Sequence, residues 1–188
     1  PLDIPDLGDL ESRHDVQTLA VGLAYARSGD VFYWQKARVA IESAIGTEVS
    51  ATELLPLCRN LASYVLAADL IDLTRLDPAF DAAFRAWLDS MRYDAWPDGD
   101  MIETDEARAN NIGRACGMTR AAIAVYLDDE AELERAALVF AGFLGDAALY
   151  DGFDWRRDLS WQEDESTPLG INPVGASRDG LSIDGALP

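Results

Sequence analysis

Three short acidic turns, at Asp30, Asp77 and Asp129, recur at intervals of roughly 50 residues, the length of a helical hairpin plus its return loop. Each places an aspartate just ahead of a segment with helical periodicity, where its carboxylate can accept from the first free backbone N–H groups. Before the first of them, "DVQTLAVGLAYARSGD" has Val16, Leu19, Ala20, Leu23, Ala24 and Ala26 at helical spacing, and Gly29 ends the run. Asp30 then opens "VFYWQKARVAIESAIG". Ser50 or Thr52 is expected to start a third helix, "ELLPLCRNLASYVLAADLIDL", with Pro56 in its first turn, where a missing N–H does little harm. Asp77-Pro78 opens a fourth, "AFDAAFRAWLDSMRYDAW", and Pro suits its first position. "PDGDMIETDE" reads as a loop. A fifth helix follows from "ANNIGRACGMTRAAIAVYL", and Asp128 or Asp129 caps a sixth, "EAELERAALVFAGFLG".

No segment before residue 150 alternates as a strand does, so the fold class is all-α: three helical hairpins over 14–148 after an extended lead-in at 1–12. The first, third and fifth helices are richer in small apolar residues and are expected to form an inner layer, with the second, fourth and sixth outside. Residues 149–188 are rich in Gly, Pro, Ser and Asp, carry Trp155 and Trp161, and are expected to be irregular. The whole chain, 1–188, is expected to be one domain with a sizeable core. Its closing "DGLSIDGALP" reads like the middle of a loop.

The formal net charge is −19, from 34 acidic residues against 15 basic ones. Nucleic-acid binding calls for a basic face, so no nucleic-acid partner is expected. No apolar run approaches a membrane span, and no leader opens the chain, so a soluble protein is expected, secreted or periplasmic if a signal peptide has been removed. With one histidine and two cysteines, no metal and no cofactor is expected. Cys58 and Cys116 fall at similar depths on neighbouring inner helices; two buried thiols or a bridge both fit. The oligomeric state is open.

The polar residues near the starts of the inner helices are the candidate site. Parallel inner helices put His14, Arg59-Asn60 and Asn110-Asn111 with Arg114 on one rim, where unpaired N–H groups also favour an anion. One asparagine, Asn110, suffices as a cap, which leaves Asn111 to be explained. Tyr64 lies one turn beyond Asn60 on the same helical face. Each alone has an ordinary structural role; their shared rim is what points to a site.

"ANNIGRACGMTRAAIAVYLDDEAELERA" resembles the long Ala-rich helix of alginate lyase-like polysaccharide lyases, which follows an Asn-Asn-His segment in their cleft. "HDVQTLAVGLAYARSGDVFYWQKARVAI" resembles an early hairpin of that family, and "LLPLCRNLASYVLAADLIDL" its next inner helix. The similarity spans residues 14–145, and order and spacing carry it more than any one motif. It implies an incomplete α/α toroid, with the chain as the N-terminal part of a longer catalytic domain. The chain departs from the family at Ile112, where the motif has histidine, and residues after 150 hold no His-Tyr pair.

The resemblance implies β-elimination on a uronic-acid polysaccharide. The carbon acid at C5 is weak while the neighbouring carboxylate is charged, so amides or a guanidinium must neutralise it. Asn111 and Arg114 are the candidates for that role, with His14 and Tyr64 as base and acid. Asn60, Arg59 and Asn110 are candidates for substrate binding, with Trp155 and Trp161 stacking on sugar rings. The expected partner is thus an acidic polysaccharide or oligosaccharide. Two other readings fit the same residues. One is glycoside hydrolysis using carboxylates among Glu103, Asp105, Glu106, Glu163, Asp164 and Glu165, most of them expected to be solvated loop charge. The other is a helical-repeat module that binds sugar without turnover.

Overall fold

Aspartate side chains cap four of the eight described helices. The structure, a computed structural model, describes residues 2–97, 99–155, 159 and 161–186. Helix α1 runs His14–Ser28 and ends at Gly29, whose φ of 67° lets its N–H reach the Tyr25 carbonyl. Helix α2 spans Val31–Ala44, with the Asp30 side chain accepting from the Phe32 N–H. Helix α3 covers Leu54–Leu70 and the single turn α4 Leu73–Leu76. Helix α5 runs Pro78–Met91, capped by Asp77, and α6 Met101–Ala107, capped by Asp100. Helix α7 spans Asn111–Leu127 and α8 Glu130–Phe143. The class is all-α: among the described residues the only sheet is a two-stranded hairpin, β1 Ser177–Arg178 with β2 Leu181–Ser182.

Four boundaries differ from expectation. Neither Ser50 nor Thr52 caps α3. Thr47–Ser50 wind into a 3-10 turn, and Glu53 stands at the N-cap without a side-chain bond. Thr47 is engaged there, accepting from the Leu7 N–H at 3.2 Å and donating to the Ala44 carbonyl at 2.8 Å. Helix α3 stops short of the expected end because Asp72 turns left-handed at φ 54° and opens α4. Helix α5 ends at Met91, not Trp96. The stretch expected as a loop contains α6, although its Asp98 lies outside the described residues. Of the two candidates at 128 and 129, Asp129 caps α8 and Asp128 closes α7 at φ 60°. The last two residues of the closing segment also lie outside the description.

Helix α3 forms the centre of the main core. Its Leu54, Leu57, Leu61, Val65 and Ala68 are buried with Ala37 and Ile41 of α2, Phe84 and Leu88 of α5, and Cys116 and Ile123 of α7. Burial of each large side chain contributes ~1.5–3 kcal/mol relative to exposure. Helix α1 packs on α3 through one narrow face, His14, Asp15, Thr18 and Gly22, with Gly22 set against Ala67. Helices α3 and α7 run in the same direction. A disulfide joins Cys58 to Cys116 near their starts, and Val65 and Asp69 face Ala122 and Val125 across a groove further along. Both open thiol alternatives of the sequence thus resolve to the bridge.

A second, smaller cluster holds the irregular C-terminal segment. Phe153 packs with Ala109, Val139 and Phe143, and Tyr150, Trp155 and Ile171 close around them. The segment substitutes side-chain bonds for secondary structure. The Gln162 amide bonds both the N–H and the carbonyl of Leu169, and Asn172 accepts from the Glu163 N–H at 3.1 Å.

Candidate functional site

The residues expected as base and acid, His14 and Tyr64, meet. Residue 14 begins α1 and residue 64 lies in the third turn of α3, so the packing of these two helices sets their separation. The Tyr64 hydroxyl and His14 Nδ1 are 2.7 Å apart, with the rings stacked at 5.7 Å between centroids. Both residues are buried, at 3% and 1% exposure. Desolvation lowers the imidazole pKa from its ordinary 6.5, only partly opposed by the carboxylates of Asp15 and Asp3. Desolvation and the Asp15 charge push the Tyr64 phenol upward. A neutral ring and a protonated phenol follow. The hydroxyl has His14 as its sole polar partner among the described residues; it donates to Nδ1 when the ring hydrogen is on Nε2 and accepts from Nδ1–H in the other tautomer. Thr18 steadies the turn by donating to the His14 carbonyl at 2.7 Å. Nε2 has no hydrogen-bond partner among the described residues, and His14 lines a crevice with the lead-in residues Leu2–Pro5 and one face of α2.

The amide and guanidinium groups expected beside this pair are engaged in different directions. Asn60 is buried, and its Nδ2 donates to the Asp9 carbonyl at 3.0 Å and, more weakly, to the Leu7 carbonyl at 3.5 Å. It therefore anchors the lead-in, whose Leu7 is fully buried. Arg114 is held on the other side of α7. Its Nη2 donates to the Asp105 carbonyl at 2.8 Å and lies 3.0 Å from Asp105 Oδ1, and its guanidinium lies over the Phe143 and Phe153 rings. Both groups are thus engaged in internal contacts, Asn60 with the lead-in and Arg114 with α6. Asn110 is the N-cap, its side chain accepting from the N–H groups of Ile112 and Gly113 at 3.0 and 3.1 Å. Asn111 and Arg59 are exposed, and neither makes an ion pair or side-chain hydrogen bond among the described residues.

The two tryptophans belong to an aromatic ladder. Tyr150 meets Phe153 at 5.0 Å, Phe153 meets Trp155 at 5.4 Å, and Trp155 meets Trp161 at 6.2 Å. Both tryptophans are half-buried there.

Sequence reasoning missed the ion network beneath α7. Asp105, expected as solvated loop charge, is 1% exposed and lies 3.0 Å from both Arg114 and the buried Arg120. Arg120 also reaches Glu106 at 3.0 Å and Glu132 at 2.6 Å, and Arg135 pairs with Glu106. Burial raises the Asp105 carboxyl despite both guanidinium groups, whereas the Arg135 bond lowers Glu106. The signal was the glycine pair Gly113 and Gly117. A Cβ at Gly117 would collide with the Asp105 carboxylate, and one at Gly113 with the Arg108 carbonyl, so these glycines let α6 press against α7. The remaining carboxylates serve locally. Glu163 accepts from the Ser177 N–H, Asp164 from Ser166 and Thr167, and Glu165 pairs with Arg178. Glu103 is exposed.

No family model, curated protein or solved structure matches this chain.

Among the described residues there is no group of three or more His, Cys, Asp or Glu side chains placed to hold a metal ion. No described helix is long and apolar enough to cross a membrane.

Proposed function

We propose that the chain is the hairpin scaffold of an α/α-toroid polysaccharide lyase, acting on a uronic-acid polymer by β-elimination with His14 as the reacting group. The observation that carries this reading is the His14–Tyr64 contact, a phenol 2.7 Å from Nδ1 of a neutral imidazole whose residue lines a crevice. Three further features support it: helices α1, α3 and α7 packed side by side, α3 and α7 running in the same direction, and connections near the expected hairpin turns.

The chemistry follows from the pair. To take the C5 proton at Nε2, the ring carries its hydrogen on Nδ1, with Nδ1–H donating to the phenol oxygen. A phenol both donates and accepts, so Tyr64 supports either form. The C5–H electrons become the C4=C5 double bond and the C4–O bond breaks. The imidazolium then returns the proton to the departing oxygen. General acid–base help of this kind contributes ~10²–10⁴-fold. A disulfide between two core positions also fits a protein that matures in an oxidising compartment, outside the cell or in a periplasm.

The test is incubation with a panel of polyuronates while following ultraviolet absorbance from the unsaturated product. We expect product from the wild type, and loss of at least about 100-fold in rate for His14→Ala. New reducing ends without that absorbance would replace elimination by hydrolysis. Tight binding with no bond cleavage would leave the non-catalytic sugar-binding module, a reading favoured by the engagement of Asn60 and Arg114 in internal contacts.

A further inference from the structure

The chain has a single lysine, and it lines the same crevice as the single histidine. Lys36 and His14 line one solvent-open crevice of about 530 Å³ between the lead-in and α2, within the range of small-ligand sites. One wall is the lead-in, Leu2 to Pro5. The other is the α2 face that presents Phe32, Lys36 and Val39 at helical spacing. Lys36 makes no ion pair among the described residues, in a chain with 34 carboxylate side chains. The one carboxylate on the crevice wall, Asp3, is turned toward α1, where it accepts from the Gln17 amide at 2.8 Å.

Two other hollows offer no such cation. The hollow of about 290 Å³ between α7 and α8 is lined by Arg114, which Asp105 already neutralises. The groove of about 360 Å³ between α3 and α7 is lined by Arg85, which pairs with Asp81 and Asp128. A lysine without a counter-charge, half-buried in a concave site, is a place for an anion brought from outside.

We propose that this crevice is a subsite for one uronate residue. Lys36 takes the carboxylate, the exposed Phe32 ring lies against the sugar face, and His14 Nε2 meets the sugar at the wall. Lys36 thereby supplies the charge neutralisation that Arg114 and Asn60, held in their own contacts, do not. The choice of a uronate rests on the elimination reading; binding itself needs no turnover.

His14 is the only histidine, so its one imidazole Hε1 signal in an NMR spectrum reports on the wall of the crevice. The probes are sodium glucuronate and a short oligoglucuronate, with glucose as the neutral control. We expect a saturable shift of that signal with both uronates, a much weaker response to glucose, and affinity reduced about tenfold or more in Lys36→Met. Phe32→Ala is expected to weaken the same binding, and far-ultraviolet circular dichroism confirms that each variant is folded. No saturable shift, or equal affinity in wild type and a folded Lys36→Met, overturns the proposal. A saturable shift with no unsaturated product keeps the subsite and ends the elimination reading. Product formation with a KM unchanged in Lys36→Met keeps elimination and ends the subsite.

Discussion

His14 is the residue whose burial has the clearest consequence for behaviour in acid. Its folded pKa is lowered, so between that value and the ordinary 6.5 the unfolded chain holds a proton that the folded chain does not. Stability therefore rises with pH across this window. It carries no penalty above about 6.5, declines as the pH falls below that value, and stops declining once the folded pKa is passed. We expect the urea midpoint of the wild type to drop between about pH 7 and pH 5 more steeply than that of His14→Gln, which has no imidazole to charge. Parallel slopes for the two proteins would show that His14 is not held neutral by the fold. Arg120 makes a similar point for a charge that cannot be shed. Its three carboxylate partners come from α6 and α8, so Arg120→Ala leaves Asp105 buried with one fewer counter-charge. A loss of about 3–5 kcal/mol in unfolding free energy is the expected result by denaturant titration.

At the level of elements, the disulfide between α3 and α7 does what packing alone would do less firmly. It closes a loop with a sequence separation of 58 residues. The chain-entropy estimate for such a loop is about 4 kcal/mol, set by the freedom removed from the unfolded chain. Cys58→Ala with Cys116→Ala should accordingly lower stability by about 3–4 kcal/mol, read as a lower denaturation midpoint with a slope that rises as the unlinked unfolded chain exposes more surface. The elements also show what could be read from the chain. Asp30, Asp77 and Asp129 announce their helices because a cap acts on the N–H groups of the next turn, a purely local interaction. Gly29 is equally local. Helix α6 was not legible, since its seven residues are held by Asp105 reaching across to Arg114 and Arg120, contacts that no local pattern encodes. The same distinction applies to the site. Placing His14 and Tyr64 together required only the parallel register of two helices. The fates of Asn60 and Arg114 depended on the lead-in and on α6, neither of which has a periodicity to read.

Over the whole molecule, the net charge of −19 sets a background repulsion that the internal ion pairs do not relieve. Added salt shortens the reach of that repulsion, from about 30 Å at 0.01 M to about 8 Å at 0.15 M. Raising sodium chloride over this range should therefore increase the thermal midpoint, while the buried Arg120 cluster is little screened. A midpoint that falls with salt would mean that surface ion pairs outweigh the general repulsion. The bridge between α3 and α7 also bears on how the protein is made. Both sulfurs lie at zero exposure beneath surrounding helices. Any oxidant must reach the thiols while the core is still open. A chain that folds first under reducing conditions would shut them away from later oxidation, so the order of these two events during biosynthesis decides whether the linked or the unlinked protein accumulates.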